Sequence, residues 1–196
     1  MKIADVKARR VWDSRGRPTV ETEVTLANGA IGRAIAPAGA SRGIHEAIDL
    51  RDGGQDFGGF GVDNALDNVN GAIADRLRGM NAADQEAVDL AMIDLDDTDS
   101  KSKLGGNATI ATSMAVLHAT ANAAGMPLWQ HLAEDRDVRI PMPEIQIFGG
   151  GAHAGGRVDI QDFMAVPVGA ESFDEALEMI AEVYIAAGKL MADAGK

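Results

Sequence analysis

The sequence contains no cysteine among its 196 residues, and only 4% of them are aromatic. Without cysteine there can be no disulfide, no thiolate zinc site and no cysteine nucleophile. Because aromatic side chains are scarce, Ala, Val, Ile, Leu and Met must supply most of the 46% of residues that are hydrophobic. The composition therefore indicates one large domain, or two small ones, with an aliphatic core.

Basic residues are also few, because the sequence has 18 Lys and Arg against 30 Asp and Glu. Its net charge is −12. A general nucleic-acid binder needs clustered Lys and Arg to displace counterions, so this balance argues against that class. An anionic ligand would need local basic groups or bound cations to overcome the field. No apolar run reaches membrane-spanning length and no signal-peptide core is present, so we expect a cytoplasmic protein without a membrane span.

The N-terminal part has the pattern of a three-stranded meander, with strands at 3–13, 19–27 and 30–36. Apolar and polar residues alternate along the second strand, which is the period of a half-buried strand. Asn28-Gly29 predicts a hairpin turn in which both residues have positive φ.

A helical period follows the strands. It predicts one helix from about 62 to Gly79, a second over 84–96 and a third over 107–124. In the third helix the residues expected to face inward are Ile110, Met114, Leu117 and Ala121. Strands followed by helices indicate an α+β domain.

The last third of the chain changes character again. Residues 144–148 and 162–168 have the pattern of strands. Ser172 and Glu175 predict a capping box at the start of an amphipathic helix that continues to about Met191. A strand followed by a helix is the beginning of an α/β unit.

Two stretches rich in small residues, 36–47 and 149–156, have the composition of ligand-binding loops, and we expect them to meet over one ligand. In the first, His45 and Glu46 either contact the ligand or tie down the loop. The acidic stretch 94–99 is either a cation site or, as is more common, a solvated helix end.

Six short motifs occur in order along essentially the whole chain. They are Asp13-Ser14-Arg15-Gly16-x-Pro18-Thr19-Val20-Glu21, Gly39-Ala40-Ser41-x-Gly43-x-His45-Glu46-Ala47, Leu50-Arg51-Asp52, Leu104-Gly105-x-Asn107, Gly150-Gly151-x-His153-Ala154 and Val158-Asp159-Ile160-Gln161-x-Phe163-Met164. In their order and compatible spacing these motifs resemble the signatures of the enolase family.

The resemblance implies an α+β capping domain over 1–138 and the beginning of a β/α (TIM-type) barrel over 139–196. It also implies the glycolytic hydro-lyase that interconverts 2-phosphoglycerate and phosphoenolpyruvate. In that reaction a base removes a proton next to a carboxylate and Mg²⁺ stabilises the resulting enediolate. The partners it implies are a small phosphorylated acid and further copies of the chain, in a homodimer or larger homo-oligomer.

Carried over residue by residue, Ser41 corresponds to a serine that ligates the second, substrate-recruited magnesium, and Gly39 and Ala40 are its neighbours on a closing loop. His153 corresponds to a histidine near the phosphate, and Gln161 lines the pocket. Asp162 stands where the family has a catalytic glutamate.

This sequence departs from the family pattern mainly around these loops. Asp162 is one methylene shorter than glutamate, and a shift of that order can weaken positioned catalysis. Arg42 replaces a threonine and Arg17 an asparagine. Other departures are Ala38 for serine, Gly149 for asparagine and Gly155-Gly156 for Asp-Asn. The alternative is therefore a divergent paralogue that acts on a phosphonate analogue and resembles carboxyphosphonoenolpyruvate synthase.

By the same resemblance the base lysine, three acidic magnesium ligands and the phosphate clamp of the family lie beyond Lys196. We therefore expect these 196 residues alone to be inactive and poorly soluble, with apolar strand and helix faces exposed. A third hypothesis, beside the lyase and the paralogue, is a non-catalytic fragment that binds a partner subunit.

Overall fold

The computed structural model describes residues 1–39 and 42–195. The chain forms two compact units, Met1–Asp135 and Arg136–Lys196. Within the described residues, no helix is both long enough and apolar enough to cross a membrane.

The first unit is built on an antiparallel sheet of three strands in the order β1-β2-β3. The strands are β1 (Ile3–Trp12), β2 (Pro18–Leu26) and β3 (Ile31–Ile35). Along β2 the residues from Val20 to Leu26 alternate between buried and half-buried, because one face of the strand lies on the core. The predicted meander is confirmed, with ends shifted by one residue.

The turn between β2 and β3 differs from the prediction. Gly29 has φ of 87°, but Asn28 does not have a positive φ. The Gly29 N–H donates to the Leu26 carbonyl at 2.9 Å and the Leu26 N–H donates to the Ala30 carbonyl at 2.8 Å. The hairpin therefore uses a longer loop that needs one left-handed residue, and the prediction of two was wrong.

Helices cover one face of this sheet. They are α1 (Asp63–Asn68), α2 (Ala74–Leu77), α3 (Gln85–Asp96), α4 (Gly106–Ala123) and α5 (Leu128–Ala133). A π-helical turn, Val69–Ile73, joins α1 to α2, so the first predicted helix is present but contains a wider turn. The buried aliphatic core lies between the sheet and these helices.

The predicted inward face of α4 was partly wrong. Ile110 and Met114 are exposed, and the buried face is formed by small residues, among them Ala111, Ala115 and Ala119. The cause is the close approach of α4 to β3, where a Cβ on Gly32 would lie 2.1 Å from the Ala115 carbonyl oxygen. Large side chains do not fit between helix and strand here, so they point away from the sheet.

Asp96 is a buried carboxylate at the end of α3, with 1% of its surface exposed. It accepts hydrogen bonds from the N–H groups of Leu104 at 2.7 Å and Thr98 at 3.1 Å, and also from the Thr98 hydroxyl. Burial disfavours its charged form, but these hydrogen bonds, with the charge of Lys101, outweigh burial and lower the pKa of Asp96. Asp96 is therefore buried rather than solvated. Its two carboxylate oxygens accept hydrogen bonds that hold the loop before α4 in place.

Asp96→Asn is expected to destabilise the first unit by about 1–3 kcal/mol at neutral pH, because Leu104 and Thr98 lose a charged acceptor. Because the pKa of Asp96 is lowered on folding, its stabilising contribution is fully present above the pKa that Asp96 has in the unfolded chain. The contribution is lost as the pH falls through the pKa that Asp96 has in the folded protein. The difference between wild type and variant, measured by urea unfolding, should therefore shrink below about pH 4. Asp94→Asn is the control, because it removes the same charge at an exposed position two residues away. A difference that does not change with pH would contradict this role.

The second unit contains β4 (Ile145–Gly149), β5 (Asp162–Ala165) and α6 (Phe173–Asp193). β4 and β5 pair in antiparallel orientation. The Ser172 hydroxyl accepts the Glu175 N–H at 3.1 Å as predicted, but the Glu175 carboxylate accepts the N–H of Glu171 rather than that of Ser172.

Large apolar side chains remain exposed in this second unit, which confirms that part of the prediction. Examples are Ile140, Val168, Ile185 and Leu190. Among the described residues, the buried hydrophobic side chains of α6 are Ala176 and Ile180. The unit therefore has little hydrophobic core of its own.

Candidate functional site

A cavity of about 770 Å³ lies in the first unit, beside the loop that follows β3. Its walls are this loop, the β1–β2 turn, the segment around Arg51, the ring of Phe60 and the exposed face of α4. The residues of α4 that line it include Ile110 and Met114, so the large side chains excluded from the sheet form a wall of the cavity.

The β1–β2 turn is held by Asp13. Its carboxylate accepts the N–H groups of Arg17 at 2.9 Å and Arg15 at 2.8 Å. The Arg17 N–H bond is the largest contribution to the lowered pKa of Asp13, with further contributions from the Arg15 N–H and from both arginine charges. Arg15 in turn donates to the Ala38 carbonyl at 3.2 Å. The first motif thus fixes a turn and ties it to the loop after β3.

The Leu50-Arg51-Asp52 motif joins distant parts of the cavity wall. Arg51 forms an ion pair with Asp49 and donates to the carbonyls of Pro18 at 2.5 Å and Phe60 at 2.8 Å. Asp52 accepts the N–H groups of residues 63 and 64, at 2.7 and 2.9 Å, and so caps the start of α1. Both side chains are therefore committed to the framework.

The Leu104-Gly105-x-Asn107 motif holds the same segment from the α4 side. The Asn107 amide accepts the Leu50 N–H at 3.2 Å and donates to the Leu50 carbonyl at 3.0 Å. A Cβ at Gly105, which has φ of 96°, would lie 2.6 Å from the Leu50 Cβ. Only glycine combines that φ with that approach. The N–H of Gly106 also donates to the Ile48 carbonyl at 2.7 Å.

Two arginines that line the cavity are not committed in this way. The Arg17 guanidinium lies over the Phe60 ring, 4.4 Å from its centroid. Arg42 lines the cavity and is exposed. Among the described residues, no ion pair or side-chain hydrogen bond engages the guanidinium of either. Each therefore keeps N–H donors available to a ligand.

The remaining predicted residues of this loop divide into three cases. Gly39 lines the cavity. Glu46 accepts the Gly43 N–H at 2.9 Å, which supports its reading as a residue that ties down the loop, while His45 is exposed. Ala40 and Ser41, including the predicted magnesium ligand, lie outside the described residues.

A magnesium site in a protein needs several hard oxygen ligands close together. Within 1–39 and 42–195, no three His, Asp or Glu side chains lie close enough together to hold a metal ion. Among the carboxylates that line the cavity, Asp13 and Glu46 each have one oxygen bonded to backbone N–H groups. The described part of the chain does not by itself fit a magnesium site.

In the second unit, the loop 149–156 begins at the end of β4 and forms the first part of the connection to β5. The N–H groups of Gly150 and Gly151 donate to the carbonyls of Gln161 and Val158 at 2.6 and 2.7 Å. A Cβ on Gly150 would lie 1.8 Å from the Ile160 carbonyl oxygen. His153 lies in a short 3-10 turn of this loop and is exposed. Close backbone packing thus fixes the base of the loop.

Asp162 pairs with Gly149 in the β4–β5 ladder, at the base of the same loop. Its carboxylate accepts from the side-chain amide of Gln146 and from that of Gln161 at 3.2 Å. The structure therefore brings Gln161 and Asp162 together on an exposed surface and adds Gln146, which sequence reasoning missed. The sequence signal that could have identified Gln146 is its place in the predicted strand just before the loop.

The sequence of this chain matches known proteins over both units. The family profile for the enolase N-terminal domain matches residues 3–132, and that for the enolase C-terminal TIM barrel domain matches residues 137–195. Enolase 1 of Desulfitobacterium hafniense (strain Y51) is 47% identical over 195 residues, which is 100% of this chain and 45% of that relative. The chain thus spans less than half the length of that relative. It belongs to the enolase family.

Proposed function

We propose that the complete polypeptide containing this chain is a magnesium-dependent hydro-lyase that interconverts 2-phosphoglycerate and phosphoenolpyruvate. The observation that carries the proposal is the 47% identity to an enolase, which extends over both loops and both units. In this proposal residues 1–138 are the capping domain and residues 139–196 begin the barrel. The protein would be cytoplasmic and assemble as a homodimer or larger homo-oligomer.

The proposed site residues follow the family motifs. Gly39 and Ala40 would form the loop beside the substrate, and the Ser41 hydroxyl would complete the shell of a magnesium ion. His153 and Gln161 would bind the substrate, and the Asp162 carboxylate would assist departure of hydroxide. What supports the last role is the pair of glutamine amides that hold this carboxylate in one orientation.

Magnesium, when bound, would neutralise the charge that develops on the substrate carboxylate. We expect that removing divalent cations with EDTA abolishes formation of enolpyruvate from 2-phosphoglycerate, followed by ultraviolet absorbance, and that added Mg²⁺ restores it. Activity that persists at an EDTA concentration well above that of total metal would contradict the proposed cofactor.

A second candidate is a paralogue whose substrate is a phosphonate analogue. It is favoured by the arginines at positions 17 and 42, where the family motif has an asparagine and a threonine, because both line the cavity of the capping unit. Efficient turnover of 2-phosphoglycerate by the wild-type protein would exclude it.

A further inference from the structure

The sequence contains two Asn-Gly pairs, Asn28-Gly29 and Asn70-Gly71. An asparagine that precedes glycine can lose its side-chain amide without an enzyme, because the backbone nitrogen of the glycine attacks the amide carbon of the asparagine. Glycine favours this attack, since it has no side chain to hinder it and leaves the backbone free to rotate. The same dipeptide lies in two different surroundings in this fold, which therefore determine which asparagine reacts.

The side chain of Asn70 is held by strand β1. Its Oδ1 accepts the Ala8 N–H at 2.8 Å, and its Nδ2 donates to the Ala8 carbonyl at 3.2 Å. Gly71 lies inside the π-helical turn Val69–Ile73. Attack by the Gly71 nitrogen requires rotation of both the side chain and the backbone of Asn70. Two side-chain hydrogen bonds and a helical turn must therefore open before this pair can react.

Asn28 lies in the hairpin loop between β2 and β3. Its Oδ1 accepts the Ala30 N–H at 3.2 Å, which is the one hydrogen bond of this side chain within the described part of the chain. The Gly29 N–H donates to the Leu26 carbonyl at 2.9 Å, and a Cβ built on Gly29 would meet no atom within 4 Å. Both asparagines are exposed, so they differ in restraint and not in access to water. A surface loop held by few bonds opens at a lower cost than a packed helix.

We propose that Asn28 is a site of spontaneous deamidation and that the fold protects Asn70. The Gly29 nitrogen forms a bond to Cγ of Asn28 and loses its proton, and the side-chain nitrogen leaves as ammonia. Water then opens the resulting succinimide ring at either carbonyl, which leaves aspartate or isoaspartate at position 28. Water is the only co-reactant, and nothing is oxidised or reduced. The site is independent of the proposed reaction.

The two products differ in their effect on the hairpin. Aspartate keeps the oxygen that accepts the Ala30 N–H. Isoaspartate carries the main chain through its side-chain carbons, so the backbone between Ala27 and Gly29 becomes longer by one atom. The length of this loop is fixed by the bonds from the Leu26 N–H to the Ala30 carbonyl and from the Ala27 N–H to the Lys2 carbonyl, both 2.8 Å. Isoaspartate therefore destabilises the hairpin, whereas aspartate leaves it intact.

The test incubates the complete polypeptide in mildly alkaline buffer, which promotes ring closure, in a folded sample and in a sample unfolded by guanidinium chloride. Both are digested at slightly acidic pH, and tandem mass spectrometry measures conversion at each asparagine from the mass difference between an amide and an acid. In the folded protein Asn28 is expected to convert at least about tenfold faster than Asn70, because Asn70 must first lose two hydrogen bonds. In the unfolded sample the two should convert at similar rates.

Two variants serve as controls. Asn28→Gln should abolish conversion at this position, because glutamine would have to close a larger ring. Asn28→Asp adds the charge without lengthening the backbone and should unfold at the same urea concentration as fresh wild type. Aged wild type, in which an isoaspartyl methyltransferase detects isoaspartate, should unfold at a lower one. A folded protein in which Asn28 stays intact, or in which Asn70 converts as fast as Asn28, would overturn the proposal.

Discussion

Asp162→Asn is expected to lower kcat for enolpyruvate formation by about 10²-fold or more, because a positioned acid–base group contributes on that scale. The structure holds the carboxylate between the amides of Gln146 and Gln161, so the loss would follow from removing the charge and the proton-accepting oxygen. Steady-state kinetics of the complete polypeptide would measure it, with kcat and KM determined separately.

Two further variants make this result interpretable. Asp174→Asn, at an exposed position in the first turn of α6, removes one negative charge and should leave kcat unchanged. Asp162→Glu keeps a carboxylate and should retain more activity than Asp162→Asn. A value of kcat for Asp162→Asn within about twofold of the wild type would show that Asp162 has no direct role in the reaction.

Gly32→Ala is expected to destabilise the first unit by about 3 kcal/mol or more, at or above the usual range for overpacking. The new methyl group would lie 2.1 Å from both the Ala115 carbonyl oxygen and the Ala119 nitrogen. These are backbone atoms of α4, so the helix as a whole must move away from β3. Urea unfolding followed by circular dichroism gives the change in the free energy of unfolding.

Gly71→Ala is the control for the Gly32 variant. Gly71 lies in the π-helical turn with open space around it, and no atom lies within 4 Å of a Cβ built there. Because alanine restricts the unfolded chain more than glycine does, this variant should be stabilised by up to about 1 kcal/mol. An unfolding free energy of Gly32→Ala equal to that of the wild type would contradict the close approach of α4 to β3.

The fold of the first unit was predictable where a pattern depends on local sequence. Alternation along β2 and the helical period of the segments that follow the sheet determine where strands and helices lie. The buried face of α4 was not predictable in this way. The buried residues of that helix are mostly Ala and Thr, while large residues lie on its exposed face. The reason is the close contact of the helix with Gly32, which the sequence pattern does not show.

For the candidate site, the sequence indicated the two loops but not the bonds that hold the cavity wall. The motifs contain Arg51, Asp52 and Asn107 without showing which groups these side chains bind. Most of their partners are backbone groups, up to 57 residues away in sequence, and no local pattern reveals such bonds. The motifs did show that Arg17 and Arg42 are unusual, while the structure was needed to show that both line one cavity.

The most direct test of the proposed reaction is phosphorus NMR of the complete, folded polypeptide with Mg²⁺, started separately from 2-phosphoglycerate and from phosphoenolpyruvate. The account predicts that both samples reach the same mixture of the two compounds, since a hydro-lyase catalyses both directions. Spectra that remain unchanged from both sides would contradict it.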